Sequence, residues 1–535
     1  MMPLALCELG VIGLTTTGQS LAAHHASTKT RVCVCDDDVN FIPQVINEYK
    51  TQTEAGEEDD NIDKSQRASR CMLPSTNVEE LVASLSTPRK IIIFGTNEED
   101  HKFEMYWNKL SPLLESGDML LRWGKEEDSG NDDTNNSNIK FYNNSIVSNI
   151  SKMQAKSKGV HLLEMVRLEK DRIVAFQGET ADVFLVGGSY VAYNKLEQYI
   201  SPCASVGHVG NEAGCAHYAH MIQRAIENGM MQTFGEGYDI LRKASGFENQ
   251  DIGRTFNKWS EAGGKMSSYL LRISSKICYK RDAITKKGFV VDHILDSVDL
   301  NAADTWVTLE ATKLGVPAPT INAALETRFL SSMKDERVGA SSILKAPEGA
   351  DTPSVLKDQI AEDLQCAMYC ACMCIIAECL AIFQSASDVE SWDVNLKECI
   401  RLWNLPGSFL ESTLMGNIHT SLMNDNSQEV KSLLLVPGVA SELQELHMSW
   451  RRIVTVSFAS AIPCPTLSSA LTHYDSFRSR SLPGISLMRA QRDFFNGSGY
   501  DRIGMEGWFT TNWTTEHTKE MKKKEAVSGK KRKAQ

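Results

Sequence analysis

Along the first third of the chain, short apolar runs alternate with amphipathic stretches. LCELGVIGL, TRVCVCD, RKIIIFG, DMLLRWG, VHLLEMV and ADVFLVGG each read as a buried strand, and the patterns between them read as helices. Strands and helices in this alternation predict a parallel α/β sheet. Two acidic and polar inserts, 51–68 and 125–140, carry too little apolar surface to fold alone and are expected to be solvated loops. From about residue 205 the apolar positions recur at the helical period over 214–244, 252–279, 305–335 and 355–386, which predicts an all-helical second part. The expected domains are an α/β domain over 1–204, a helical domain over 205–505 and a tail over 506–535 with a disordered basic end.

One run changes this picture if misread. LQCAMYCACMCIIAECLAIF, 364–383, is long enough to span a bilayer but holds Glu378, so it is expected to be a buried core helix and not a membrane segment. Cys366, Cys370 and Cys374 form a stripe on one face of it and read as small packing groups, since no histidine or C-x-x-C pair accompanies them. The 56 basic and 68 acidic residues leave a formal charge of -12, which excludes a surface-wide attraction to nucleic acid or anionic membrane. Fourteen cysteines and a start, MMPLALCELGVIG, without a basic leader region point to reduced thiols in the cytoplasm. The end of the tail, KKKEAVSGKKRK, resembles a two-cluster nuclear import signal or a weak nucleic-acid patch; the other reading is a solvated end.

VIGLTTTGQSL places Gly13 and Gly18 at the first and sixth positions of a G-x-G-x-x-G turn between a strand and a helix, the fingerprint of a Rossmann unit. Its middle position is Thr15, whose branched side chain crowds the place where a pyrophosphate would approach the backbone. The next strand ends in Asp36, Asp37 and Asp38, about 20 residues further on, where such folds meet the adenosine ribose. A carboxylate there accepts from free ribose hydroxyls and repels a 2'-phosphate, favouring NAD over NADP. A solvated acidic turn is the equally open alternative.

HYAHMIQRAIENGMMQ, 217–232, reads as a helix with His220, Arg224 and Glu227 on one side. This row is either an acid-base site or the remnant of one. His217 and His220 lie three residues apart, but no third ligand is identifiable and no metal is expected.

Together IGLTTTGQSL, LSTPRKIIIF, LESGDML, HYAHMIQRAIENGMMQ, LEATKLGVPAPTINAALETRFLSSMKDER, HMSWRRIV, ALTHYDSFR, RAQRDFFN and TNWT resemble 6-phosphogluconate dehydrogenase, in the family's order, from about residue 8 to 515. The resemblance implies a Rossmann domain, a large helical domain and a short tail that reaches into the partner of a homodimer. It implies NADP-dependent oxidative decarboxylation of 6-phosphogluconate to ribulose 5-phosphate, a step of the pentose phosphate pathway. Residue by residue, much of the family's pattern is replaced. Its motif G-H-x-x-K-M-V-H-N-G-I-E-Y falls on Ala216 to Asn228, so the general-base lysine falls on His220 and the substrate-binding His-Asn pair on Gln223 and Arg224. The acid is retained as Glu227, and the tyrosine after it is Asn228. The N-R-T that grips the NADP 2'-phosphate falls on Asp36, Asp37 and Asp38. The S-G-G-x-x-G-A loop has no counterpart in VRLEKDRIVAFQGET, K-G-T-G-K-W falls on residues 301–306, and W-R-G-G falls on 403–406. The phosphate-binding arginine is retained as Arg328 and the tail arginine as Arg492, while the tail histidine falls on Ser498.

A guanidinium three residues from Glu227 favours its carboxylate form, whereas a general acid needs the opposite. The sequence therefore leads to the expectation of a dimeric homologue whose decarboxylase chemistry is lost or weak and which acts by binding or scaffolding. An active dehydrogenase, NAD-preferring and using His220 as base and Glu227 as acid, is the alternative. A third is a structural subunit of a larger complex. Any small ligand is expected to be a phosphorylated sugar acid, held by Arg328 and by Arg492 across the dimer.

Overall fold

The apolar runs of the first third assemble into one sheet in a computed structural model that describes residues 6–54, 71–94, 101–123, 155–168, 182–202, 204–261, 263–298, 303–345, 357–424, 432–515 and 518–521. Its strands are β1 (Leu9–Ile12), β2 (Val32–Cys35), β3 (Met72–Pro74), β4 (Lys90–Phe94), β5 (Met119–Trp123), β6 (His161–Arg167), β7 (Asp182–Gly188) and β8 (Ala204–Gly210). They lie in the order β3-β2-β1-β4-β5-β6-β7-β8. The short strands of four or five residues are almost wholly buried, because helices cover both faces and leave no need for alternation. Helices α1 (Thr16–Ser27), α2 (Phe41–Glu54), α3 (Val78–Ala83), α4 (His101–Leu110) and α5 (Tyr190–Ile200) flank the sheet. Among the described residues, one core cluster of the sheet gathers around Leu9, Val34, Leu121 and Phe184 and another around Ile12, Ile93, Trp107 and Leu120.

Three expectations need correction. The sheet is not wholly parallel: β6 and β7 pair antiparallel, and β7 and β8 then run together. Two strands, β3 and β8, escaped the sequence pattern, β3 for its three-residue length and β8 for the glycines and histidine of ASVGHVG. Because β8 belongs to the sheet, the α/β part runs on to Gly210, past the expected limit at 204. The inserts at 55–68 and 125–140 and the basic end of the tail lie outside the described residues.

The helical part begins with α6 (Cys215–Lys243), followed by α7 (Asn249–Trp259), α8 (Tyr269–Tyr279), α9 (Ala303–Leu314), α10 (Pro319–Ser332), α11 (Lys334–Ile343), α12 (Lys357–Glu390), α13 (Leu396–Trp403), α14 (Thr413–Asn424), α15 (Pro437–Ala459) and α16 (Pro465–Phe477). The expected segment 252–279 is two helices, parted near Gly263 and Gly264; 305–335 is also two, parted by GVPA before Pro319. Helix α12 is, among the described residues, long and apolar enough to cross a membrane by length and composition, and most of that stretch is buried. It packs on α6 and α15. Of the expected packing stripe, Cys370 and Cys374 are fully buried and Cys366 is half-buried; Cys372 and Cys379 on the same helix are fully buried as well.

The chain divides into two compact units, Met1–Leu471 and Thr472–Gln535. The second holds α17 (Ile485–Asn496) and a three-stranded antiparallel sheet, β9 (Tyr500–Arg502), β10 (Met505–Thr511) and β11 (Thr518–Met521), so the all-helical expectation fails at this end. The buried Asp493 organises this unit. Its carboxylate accepts from the backbone N–H groups of Gly499 and Thr511, the Thr510 hydroxyl and the Trp513 indole.

Candidate functional site

One register row fixes the geometry of the site. Ile12 pairs with Ile93, Ile93 with Arg122, Arg122 with Glu164 and Glu164 with Gly187. This row is the C-terminal edge of β1, β4 and β5, the edge where open α/β sheets place their ligands. At Gly187 a Cβ would stand 2.6 Å from Ala213 O, 2.7 Å from Glu212 O and 3.0 Å from Ala216 N. Only glycine lets α6 start this close to the sheet, so the glycine turn after β1 and the first turn of α6 share one edge.

At the turn, Gly13 has φ +84°, and a Cβ on it would meet Phe94 O at 2.5 Å; a Cβ on Gly18 would meet Gly13 O at the same distance. Both glycines are required by packing, with or without a ligand. Thr15 caps α1, its Oγ1 accepting from Gly18 N at 3.2 Å. Gly13 N donates to Cys35 O at 2.9 Å and Leu14 N to Asp36 Oδ2 at 2.6 Å. Three N–H groups of the turn are thus engaged within the chain. Asp36 Oδ1 also accepts from Asp38 N, Asp37 accepts from the Tyr106 hydroxyl, and Asp38 from Asn40 N. The three aspartates hold the turn together, which favours the acidic-turn reading. Three adjacent carboxylates oppose a 2'-phosphate by like charge. Asp36 retains lone pairs for a ribose diol.

Helix α6 brings the second set together. Gln223 and Glu227 are buried, and Gln223 Nε2 donates to Glu227 Oε1 at 2.9 Å. Arg224 Nη1 lies 4.0 Å from Glu227 Oε2, so the guanidinium neighbours the acid as its spacing implies. Arg328 of α10 reaches the same helix, with Nη2 donating to Asn228 Oδ1 at 2.6 Å, and lines a small hollow with Ala225, Gly229, Val307 and Leu325. His220 is half-buried. Burial first, then the charges of Arg224 and His217, push its imidazole down to about 3. Such a ring is neutral at physiological pH but holds a proton too weakly to serve as a strong base.

Other positions fall differently. Residues 301–302 and the loop 169–181 lie outside the described residues; Trp403 is fully buried in α13. Arg492 lies exposed on α17 in the second unit, beside Asp493. Among the described residues no three His, Cys, Asp or Glu side chains group as metal ligands. Sequence reasoning missed Arg122 and Glu164. The first is the arginine of the strand DMLLRWG and the second the glutamate of VHLLEMV, charges inside apolar runs that offered the one signal available.

A Rossmann-type sheet whose edge meets a long helix of an all-α part defines the class of two-part proteins that join a dinucleotide-fold domain to a helical one. The model of the family described as "6-phosphogluconate dehydrogenase, C-terminal domain" matches residues 216–513. The chain is 30% identical over 519 residues to the decarboxylating 6-phosphogluconate dehydrogenase of Synechocystis, covering 94% of this chain and 97% of that one. It is 28% identical over 517 residues to decarboxylating 6-phosphogluconate dehydrogenase 1 of Spinacia oleracea, covering 95% and 97%. Among solved structures it is similar to the Plasmodium falciparum 6-phosphogluconate dehydrogenase, described in apo form and with its cofactor NADP+ and its substrate 6-phosphogluconate. The TM-score is 0.73 and the identity 26%, over 95% of this chain and 100% of that one. The chain belongs to the 6-phosphogluconate dehydrogenase family.

Proposed function

We propose that this chain is a binding or scaffolding member of its family that does not carry out NADP-dependent oxidative decarboxylation of 6-phosphogluconate. The observation that carries this reading is the row on α6: a half-buried His220 stands where the resemblance places the family's general-base lysine, and the Arg224 guanidinium lies 4.0 Å from the carboxylate of Glu227, the retained acid. The aspartates of the glycine turn support it, because they oppose the cofactor's 2'-phosphate where Asp36 already holds Leu14 N. The purified full chain, given NADP+ and 6-phosphogluconate and followed by NADPH absorbance, is expected to show no turnover above the uncatalysed rate. Robust NADPH formation would overturn the reading.

A second reading is an NAD-preferring dehydrogenase with His220 as base and Glu227 as acid. It is favoured by Asp36, which can meet a ribose diol, and by Arg328, which keeps the family's phosphate-binding position beside α6. Calorimetric titration with NAD, NADP and 6-phosphogluconate separates the two, and a flat trace with all three eliminates the second. The homodimer belongs to the proposal as well, supported by the exposed Phe329, Leu330 and Met333 around the end of α10. So does a cytoplasmic site of action, with nuclear entry through the basic tail as the alternative that imaging of a tail-deleted fusion would decide.

A further inference from the structure

The segment that joins α16 to α17, Arg478-Ser479-Arg480-Ser481-Leu482-Pro483, is used by neither reading above. Every residue of it is exposed. Helix α16 stops at Phe477, Pro483 has no N–H to carry a helix onward, and Gly484, at φ +74°, turns the chain into α17. The same proline disfavours helical backbone at Leu482. What results is a solvent-facing connection in which two guanidinium groups precede the hydroxyl of Ser481 and an apolar side chain follows it.

The two serines are not equivalent. Ser479 Oγ donates to Asp475 O at 2.8 Å and closes the end of α16, and the residue three before it is Ser476. Ser481 has Arg478 three residues before it and Arg480 immediately before it. Arg478 Nε donates to Asp475 Oδ1 at 3.0 Å, and its guanidinium lies 5.5 Å from the centre of the Tyr474 ring. These are contacts of an exposed helix end, weak enough to be exchanged for a partner's carboxylate. The other hydroxyls with an arginine three residues before them are Ser245 and Ser275, which are buried, and Ser331 and Thr455, which lie inside α10 and α15. Of these positions, Ser481 alone is exposed in chain outside a helix, where a peptide-binding groove can draw it out. Leu482, not a proline, follows it directly, which fits a kinase that reads arginine and not one that reads a Ser-Pro step.

We infer that Ser481 is a phosphorylation site for an arginine-directed serine kinase, one whose peptide groove offers carboxylates to Arg478 and Arg480 and an apolar pocket to Leu482. In the step Ser481 Oγ attacks the γ-phosphorus of ATP, and an O–P bond forms as the bond from that phosphorus to the β–γ bridging oxygen breaks. ADP leaves with the electron pair, and the hydroxyl proton passes to the kinase's catalytic carboxylate. The phosphoryl group brings about −1.5 to −2 charges, enough to cancel the guanidinium groups of Arg478 and Arg480. The modification is a charge switch at the entry to α17, the helix of Arg492 and the buried Asp493. It goes beyond the proposed function and holds with or without turnover by this chain.

The test incubates the folded full chain with MgATP and the catalytic subunit of the cyclic-AMP-dependent protein kinase, an arginine-directed enzyme, and locates phosphate by intact mass and peptide fragmentation. Phosphate is expected on Ser481, and Ser481→Ala should remove it. Ser479→Ala should change the rate by less than about twofold, since that hydroxyl bonds its own helix end. Arg478→Ala should slow incorporation at least about tenfold, the loss of a charge-assisted contact, and Arg478→Lys, which keeps the charge without the fork, should fall between. The substituted positions are exposed, so each variant is expected to melt as the native chain does, and Arg478→Lys stands in for Arg478→Ala if the latter does not. A folded chain that takes up no phosphate at Ser481, one that takes it up at Ser479 or Ser486 instead, or a rate that the Arg478 variants change by less than about twofold, overturns the inference. None of these outcomes bears on the turnover assay, so the inference and the proposed function fail separately.

Discussion

At the glycine turn a single hydroxyl decides what the first N–H groups of α1 do. Thr15 Oγ1 accepts from Gly18 N, a bond that replaces a ligand's anion with the chain's own oxygen. Thr15→Ala is expected to cost about 1 kcal/mol of stability in urea unfolding, the ordinary value of a lost cap. Gly13→Ala is expected to cost about 2–3 kcal/mol or prevent folding, since the left-handed backbone and the 2.5 Å approach to Phe94 O both oppose a side chain. The glycines were legible because their spacing is a local pattern, and Thr15 was legible as an obstruction. That its hydroxyl caps the helix, and that Asp36 reaches across 22 positions to Leu14 N, depends on tertiary placement which no local pattern carries. The same holds for Arg122 and Glu164, an ion pair brought together from two neighbouring strands.

Two helices of the all-α part are capped by acids from other helices. Glu378 of α12 accepts from Thr320 N, Thr320 Oγ1 and Ile321 N at the start of α10, and Glu236 of α6 accepts from Thr466 N and Leu467 N at the start of α16. Both capped helices begin Pro-Thr, so proline fills the position that needs no N–H donor and the imported carboxylate takes the next two. Burial pushes Glu378 up to about 7 against these hydrogen bonds, and pushes Glu236 up as well. The sign follows directly. With a folded value above the unfolded 4.5, the favourable contribution of Glu378 is complete below that pH and is lost as pH rises through 7. Relative to Glu378→Gln, the native chain is expected to lose up to about 3 kcal/mol of stability between acid and mildly alkaline pH, read by denaturant titration at each pH. A constant difference would refute this. The sequence showed Glu378 as the charge that rules out a bilayer; its role as a cap could not be read, because Thr320 lies 58 positions away. Helical periodicity also ran through the breaks at 260–268 and 315–318, since the apolar spacing resumes in phase closely enough to hide two short loops.

On the scale of the molecule, six of the eight strands of the large sheet were legible as apolar runs, β3 and β8 were not, and strand direction was not. A buried strand reads as apolar whichever way it runs, so VHLLEMV and ADVFLVGG gave no sign that they pair antiparallel. The second unit was legible as a family tail but not as a small sheet folded on Asp493. Desolvation opposes ionisation of Asp493, yet the donors from Thr511, Thr510, Gly499 and Trp513 outweigh it and hold the carboxyl below the usual range. Its contribution is present above the unfolded value of 3.8 and is lost as pH falls through the lower folded one. Asp493→Ala leaves four donors without their acceptor and is expected to raise hydrogen exchange across Met505–Thr511 while leaving the sheet of the first unit protected. Sedimentation is expected to find a homodimer, and a monomer across the micromolar range would contradict that part of the proposal.

Cys370, Cys372, Cys374 and Cys379 have no solvent contact along α12, the element on which α6 and α15 rest. Burial also drives their thiols upward, so the reactive thiolate is scarce even where a reagent could arrive. Alkylation of these four sulfurs can proceed only during excursions that part the bundle, and its rate becomes a clock for those openings, built into the chain without any added probe. A ligand that grips the cleft side of α6 should slow that clock, whatever its chemistry turns out to be.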